Sequence, residues 1–177
     1  MSTKTWNIDP VHSEIHFRAR HMVVSTVTGQ FDRFDATAET EGDTPENAKV
    51  TFTAETASVN TGTEQRDNHL RSDDFFNAEK FPTLTFKSTS FKNVKEDIYQ
   101  LKGDLTIRDV TKPIELDVEY GGMITDPYGN QRSGFTVTGK VSRKDFGLRY
   151  NALLESGGAV VSDEIKINCH VEFIHHD

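Results

Sequence analysis

Seven histidines, one cysteine and a polar cluster around position 66 carry most of the chemistry that this 177-residue sequence offers. His12 and His16 share one strand phase and His21 falls on the other, so they supply at best a pair. A zinc site needs three ligands converging on one point. His175-His176 reads as a solvated tail. No metal and no other cofactor is expected. Ser13, His21 and Asp67 can be written as a hydrolytic triad, but nothing in the sequence orders them. A Gly-x-Ser-x-Gly elbow is absent, and Glu155-Ser156-Gly157-Gly158 has the wrong neighbours for one. No pair of carboxylates sits in an apolar stretch that would raise one pKa. Cys169 lies on an apolar phase and reads as a small buried hydrophobe, not as a nucleophile. A lone thiol builds neither a disulfide framework nor a cysteine cage. The expectation is a protein that is not an enzyme. What remains is Arg66-Asp67-Asn68-His69. Its donors suit an amphiphile's head (a phenol, amide or phosphate), or they plug the fold through ion pairs; the two roles are compatible.

The elements that must position these residues are strands. Ile114, Leu116, Val118 and Tyr120 interleave with Glu115, Asp117 and Glu119, and Ile165 to Phe173 repeats the pattern. Side chains on a strand alternate faces with period two, so each segment buries one face and wets the other. A first strand is expected from about Val11 to Val24, with Ser13, Ile15, Phe17 and Ala19 on one phase. A second carries Gly29, Phe31 and Phe34-Asp35-Ala36. The Gly42 to Asn47 cluster marks a turn. A third strand holds Val50, Phe52 and Ala54, and five more follow to Ile174. About eight antiparallel strands suit an up-and-down barrel. The exception to the period is Thr61-Gly62-Thr63-Glu64, which resembles a capping box opening a short polar helix over Gln65 to Arg71. Phe75, Phe76 and Phe81 follow it closely, as at the rim of an apolar tube.

An eight-stranded barrel either packs solid or holds one small ligand. Ala19, Gly29, Ala54, Gly103 and Gly139 fall on the inner phase and are expected to leave volume unfilled, although glycines equally mark bends. Ile15, Phe17, Phe31, Phe52, Phe86, Leu105 and Phe146 are the expected inner lining. A close-packed core remains the other reading of the same periodicity. The net charge of −8, with no basic tract, argues against a nucleic-acid partner. No run approaches the ~18 apolar residues of a membrane span, so no membrane insertion is expected. The N-terminal Met1 to Trp6 stretch lacks the apolar region of a signal peptide, which points to a cytoplasmic protein.

The sequence resembles the YceI-like family of lipocalin-like, polyisoprenoid-binding barrel proteins. The likeness rests on Trp6-Asn-Ile-Asp9-Pro10-Val-His12-Ser13 with Phe17 and His21-Met22, and on Arg66-Asp67-Asn-His69-Leu70-Arg71-Ser-Asp-Asp-Phe75-Phe76 with Phe81-Pro82. It continues through Gly103-Asp104-Leu105-Thr106-Ile107, Arg143-Lys-Asp145-Phe146-Gly147 and Asp163-Glu164-Ile165. These motifs run in order along the whole chain. Two features depart from the family pattern: Asp109 stands where a glycine is common, and the signal peptide of many relatives is not seen.

The resemblance implies a single-domain, lipocalin-like, eight-stranded antiparallel β-barrel over residues 1–177, with a short helix near its mouth. It implies a bore that binds, sequesters or transports an isoprenoid or other long-chain amphiphilic lipid, with no catalytic mechanism, and it carries over a possible homodimer. The tail is then expected among Ile15, Phe17, Phe31, Phe52, Phe75, Phe81, Phe86, Leu105 and Phe146. The head is expected near Arg66, Asp67 and His69, with His12 and His21 as further contacts; His12, after Asp9-Pro10 and before Ser13, is also read as tying down the barrel entrance by hydrogen bonds. Two other functions stay open: a stress or interaction module whose core is solid or incidentally occupied, and an enzyme acting on a lipid or quinone-like head.

Overall fold

The computed structural model describes residues 2–22, 24–148 and 161–176. Within them the strands are β1 (Thr3–Ile8), β2 (Glu14–His21), β3 (Ser25–Phe31), β4 (Phe34–Glu41), β5 (Lys49–Glu55) and β6 (Val59–Asn60). They continue as β7 (Thr83–Lys95), β8 (Ile98–Ile107), β9 (Val110–Thr125), β10 (Gln131–Ser142) and β11 (Glu164–His175). One helix, α1, spans Glu64–Arg71. Every pairing between named strands is antiparallel. The ring runs β1-β4-β5-β7-β8-β9-β10-β11 and closes through Asn7↔Ile174 and Ile8↔Phe173. This is a closed eight-stranded barrel. No helix among the described residues is long and apolar enough to cross a membrane.

The eleven described segments reduce to eight staves because three staves are broken. β1 and β2 form one, interrupted by a 3-10 turn at Pro10–His12; β3 and β4 form the next, broken at Asp32 and Arg33. β5 and β6 form the third, broken by a 3-10 turn at Thr56–Ser58. The first break corrects the expected Val11–Val24 strand. Pro10 has no N–H to donate to a ladder, and the Asp9 carboxylate takes the Val11 amide at 3.1 Å, so pairing resumes only at Glu14. The other two breaks are tied together: the Asp32 amide donates to the Ser58 carbonyl and the Glu55 amide to the Arg33 carbonyl. Above the kinks, β2 pairs β3 from His16↔Gln30 to His21↔Ser25, while β3 meets β6 only at Gln30↔Asn60 and Phe31↔Val59. No other strand among the described residues covers the remaining edge of β3.

The inner glycines do not leave empty space, which corrects the second expectation. A methyl group on Gly29 would lie 2.4 Å from the Phe17 ring, one on Gly103 2.4 Å from Phe86, and one on Gly139 2.4 Å from Leu116. Phe17 and Leu116 are the registered cross-strand partners of Gly29 and Gly139. Each glycine admits a large neighbour across the sheet, so these small residues pack the wall. Ala54 is fully buried in the same way. Ala19 alone of the set faces open volume.

α1 begins two residues later than a capping box at Thr61 requires. Its N-cap is Thr63, whose side chain makes no cap hydrogen bond. The Thr61 hydroxyl instead donates to Asp67 Oδ1 at 2.6 Å, and the Thr61 amide donates to the same oxygen at 2.8 Å. A buried carboxylate inside the helix has captured the Thr61 hydroxyl, which a box would use as an acceptor, and the Thr61 amide, which it would use as a donor.

Candidate functional site

A cavity of about 730 Å³ runs through the barrel. Its wall is the inner phase of the strands. Ile15, Phe17, Phe31, Phe52, Phe86, Leu105 and Phe146 all line it, and so does Phe75 from the segment after α1. The aromatic rings pack against each other as well as against the lumen. Phe17 meets Phe31 with centroids 5.5 Å apart, and Tyr120 stacks on Phe135 at 5.2 Å. Phe81 does not reach the cavity. Its ring lies beneath the Lys80 ammonium and the Arg108 guanidinium, both 5.5 Å from its centroid, and serves to anchor the loop.

The mouth lies at the α1 end. His21, Thr61, Arg66 and His69 line it together with Arg143. Arg66 is aimed by its own loop: Nε donates to Thr61 Oγ1 at 2.7 Å and Nη2 to the Thr61 carbonyl at 2.8 Å. His69 Nε2 lies 2.8 Å from Asp74 Oδ2, and its ring stands edge-on to Phe75 at 5.1 Å. Asp67 sits behind this group and is occupied by Thr61, so it positions the loop and does not line the bore.

His12 also stands outside the cavity, on the outer wall at the first kink. Its Nδ1 is 2.7 Å from Asp9 Oδ2 and 3.5 Å from Glu172 Oε2. These three ligand atoms lie within 4.8 Å of one another, close enough for a cation. The fold supplies that cation itself. Arg132 Nη1 is 2.9 Å from the same Asp9 oxygen and its Nε is 2.8 Å from Asp126. Burial pushes the Asp9 carboxyl up, but hydrogen bonds from His12 and Arg132 outweigh it and hold the group below its ordinary range. The cluster fastens the kink to the β9–β10 turn.

Ser13, His21 and Asp67 are not brought together. Ser13 Oγ accepts the Glu172 amide at 3.0 Å, His21 bridges to Val161 at the mouth, and Asp67 holds Thr61. The Glu155-Ser156-Gly157-Gly158 stretch lies outside the described residues.

Arg143 is the mouth residue that the sequence reading passed over. It is buried and donates from Nε to the Ser162 carbonyl at 2.9 Å, from Nη1 to Leu148 at 2.7 Å and from Nη2 to Val161 at 3.1 Å. Its guanidinium also lies 5.9 Å from the Phe75 centroid. Burial pulls its pKa down, offset in part by Asp163, and guanidinium stays charged at neutral pH. A signal was present: Gly139, Val141 and Arg143 share the inward phase, and a charge on that phase marks a lumen group.

The opposite end of the bore is polar too. Trp6 Nε1 donates to Thr40 Oγ1 at 2.9 Å, the Thr40 hydroxyl donates to the Gly42 carbonyl at 2.7 Å, and Lys4 pairs with Asp43. Tyr120 is hydrogen-bonded to Ser133, and burial raises its phenol pKa. The cavity therefore has a long apolar middle between two polar ends. Such a site suits a molecule with an extended hydrocarbon and a polar head.

The YceI-like domain pattern matches this chain over residues 6–173. A UPF0312 protein of Staphylococcus aureus is 37% identical over 169 residues, which is 95% of this chain and 96% of that protein. The crystal structure of a Campylobacter jejuni YCEI protein superposes with a TM-score of 0.78 at 34% identity, covering 89% of this chain and 90% of that one. A polyisoprenoid binding domain from Saccharophagus degradans shares the fold with a TM-score of 0.70 at 14% identity, over 97% and 98% of the two chains.

Proposed function

The chain belongs to the YceI-like family, and from that premise we propose that its bore binds, and so sequesters or carries, an isoprenoid or similar long-chain amphiphilic lipid. The observation that carries this reading is the continuous apolar lumen of about 730 Å³ between polar ends, with two guanidinium groups and two imidazoles at the α1 mouth. The likeness to a domain described as polyisoprenoid-binding supports the choice of lipid class.

The tail lies among Ile15, Phe17, Phe31, Phe52, Phe75, Phe86, Leu105 and Phe146, and the head meets His21, Arg66 and His69. Arg143 adds a second guanidinium to that end, which suits a head that is anionic or rich in acceptors. At roughly 30 Å³ per water-sized group, 730 Å³ takes ~24 heavy atoms, about five isoprene units. Burial at ~0.8 kcal/mol per methylene then offsets the association cost without many polar contacts. The role is binding without turnover.

The test is native mass spectrometry of protein purified without detergent, followed by organic extraction. The expected result is a discrete adduct with a hydrocarbon chain. A protein that stays at its bare mass after incubation with polyprenyl lipids would overturn the proposal. An adduct that is chemically converted on the protein would overturn the non-catalytic part.

A further inference from the structure

Three basic residues stand side by side on the outer wall near the mouth. Lys140 on β10 registers with Lys166 on β11, which registers with Arg18 on β2. All three are exposed, and none forms an ion pair among the described residues. Directly opposed residues on one sheet face have Cβ atoms ~5 Å apart, so like charges there destabilise the fold. The nearest carboxylates do not cancel the ladder. The carboxylates of the same face stand at its margins: Glu115, beside Lys140, is held by Lys102 at 3.6 Å, Asp117 registers with Thr138 one pair away, and Glu164 lies two residues before Lys166. In a chain of net charge −8, this local cationic strip is out of keeping with the rest of the surface.

The hairpin that carries Arg18 ends in apolar residues pointed at solvent. Val24 is 86% exposed and Met22 44% exposed. Met22 adopts a left-handed φ of 54°, which side-chain-bearing residues seldom take. The inner phase of the same hairpin, Ala19 and Val27, lines the mouth of the bore. Met22 and Arg18 are four residues apart, ~13 Å at the rise of a strand. An apolar tip seated shallowly in a bilayer interface would thus hold the ladder at the level of the headgroups.

We propose that the β2–β3 hairpin tip and the Lys140–Lys166–Arg18 ladder form a docking surface for an anionic lipid bilayer, which turns the mouth of the bore toward the membrane. The surface itself stands on the exposed tip and the unneutralised cations. Its use in loading the bore rests on the lipid-binding reading above.

The experiment is co-flotation with vesicles of phosphatidylcholine alone and of phosphatidylcholine mixed equally with phosphatidylglycerol. The protein is expected to float with the anionic vesicles only and to release at ~0.5 M salt, where screening shortens to a few ångströms. Lys166→Glu is expected to weaken binding at least fivefold, since each basic residue near such a surface contributes roughly that factor. It should raise the melting temperature at the same time, because the new carboxylate sits between two cations. Val24→Asp is expected to weaken binding about tenfold with no change in melting. Tyr128→Ser, an exposed substitution at the opposite end of the barrel, should leave binding unchanged.

Wild-type protein that ignores anionic vesicles would overturn the proposal, and so would equal binding by wild type, Lys166→Glu and Val24→Asp. Retention on RNA or heparin without vesicle binding would assign the ladder to another partner and overturn it as well. Bore occupancy, read separately by native mass spectrometry, distinguishes the two readings: an empty bore with vesicle binding intact sinks the lipid carrier and leaves the docking surface standing.

Discussion

Replacing Ala19 with phenylalanine separates binding from folding. Ala19 faces the lumen beside its registered partner Val27, and it is half-buried because open volume lies over it. A phenyl ring there occupies ~180 Å³ at ~30 Å³ per water-sized group, about a quarter of the 730 Å³ cavity. A tail excluded from that volume loses about six buried carbons, an upper limit of ~5 kcal/mol at ~0.8 kcal/mol each. Sliding of the tail toward Thr40 recovers part of this, so the expected loss in affinity is ten- to a hundredfold, about 1.4–3 kcal/mol. The fold is expected to hold within ~1 kcal/mol or to gain slightly, since the ring fills apolar space. Native mass spectrometry of the purified variant reads the first effect and thermal unfolding the second. An Ala19→Phe protein that retains the same ligand at the same occupancy would show that the tail does not run past this wall.

Arg143→Met should lower stability by about 3 kcal/mol in urea unfolding, because the carbonyls of Leu148, Val161 and Ser162 lose a charged donor inside the mouth; a loss under ~1 kcal/mol would mean that water replaces it. Asp9 and Asp126 are both held below the ordinary carboxylate range, the latter chiefly by Arg132. The unfolded chain binds their protons first as pH falls, so their stabilisation is complete above about pH 4 and is lost below it. Arg132→Ala should flatten that acid limb in a melting-temperature profile, and an unchanged limb would exonerate the cluster. Burial pushes the Cys169 thiol up to about 11, so an aromatic disulfide reagent at ~pH 8 should label it only after unfolding. Stoichiometric labelling of native protein would show that the reagent enters the bore as far as the sulfur.

Period-two alternation made the barrel legible because each stave has one dry and one wet face. The stave breaks were less so. Pro10 was visible, but Asp32-Arg33 and Thr56–Ser58 are set by carbonyl–amide ties between distant segments, and no local pattern announces those. The lumen phenylalanines could be read because inward phase is a local property. Asp67 and His12 each admit two readings in sequence, contact with a ligand head or a tie within the fold, and only the spatial partners decide between them: Thr61 and the Asp9–Arg132 cluster claim them. The glycines failed on volume. A missing side chain says nothing of what a partner strand will lay over it, and Phe17, Phe86 and Leu116 fill those places.

The edge of β3 that no described strand covers bears on how fast the bore exchanges its contents. From Ser25 to Gly29 one side of this strand is hydrogen-bonded to β2, and no strand among the described residues takes the other. Most staves of a closed barrel open only by breaking a ladder on both flanks, whereas the β2–β3 hairpin is held by a long ladder on its β11 flank alone, with two further pairs to β6 on the other. Local opening of that kind has a low free energy compared with global unfolding. Alternate amides of Ser25–Gly29 should therefore exchange hydrogen for deuterium first among the strands, and ligand release should share their rate. The residence time of whatever the bore holds would then be a property of five residues on one edge, and a strand added across them would lock the cargo in.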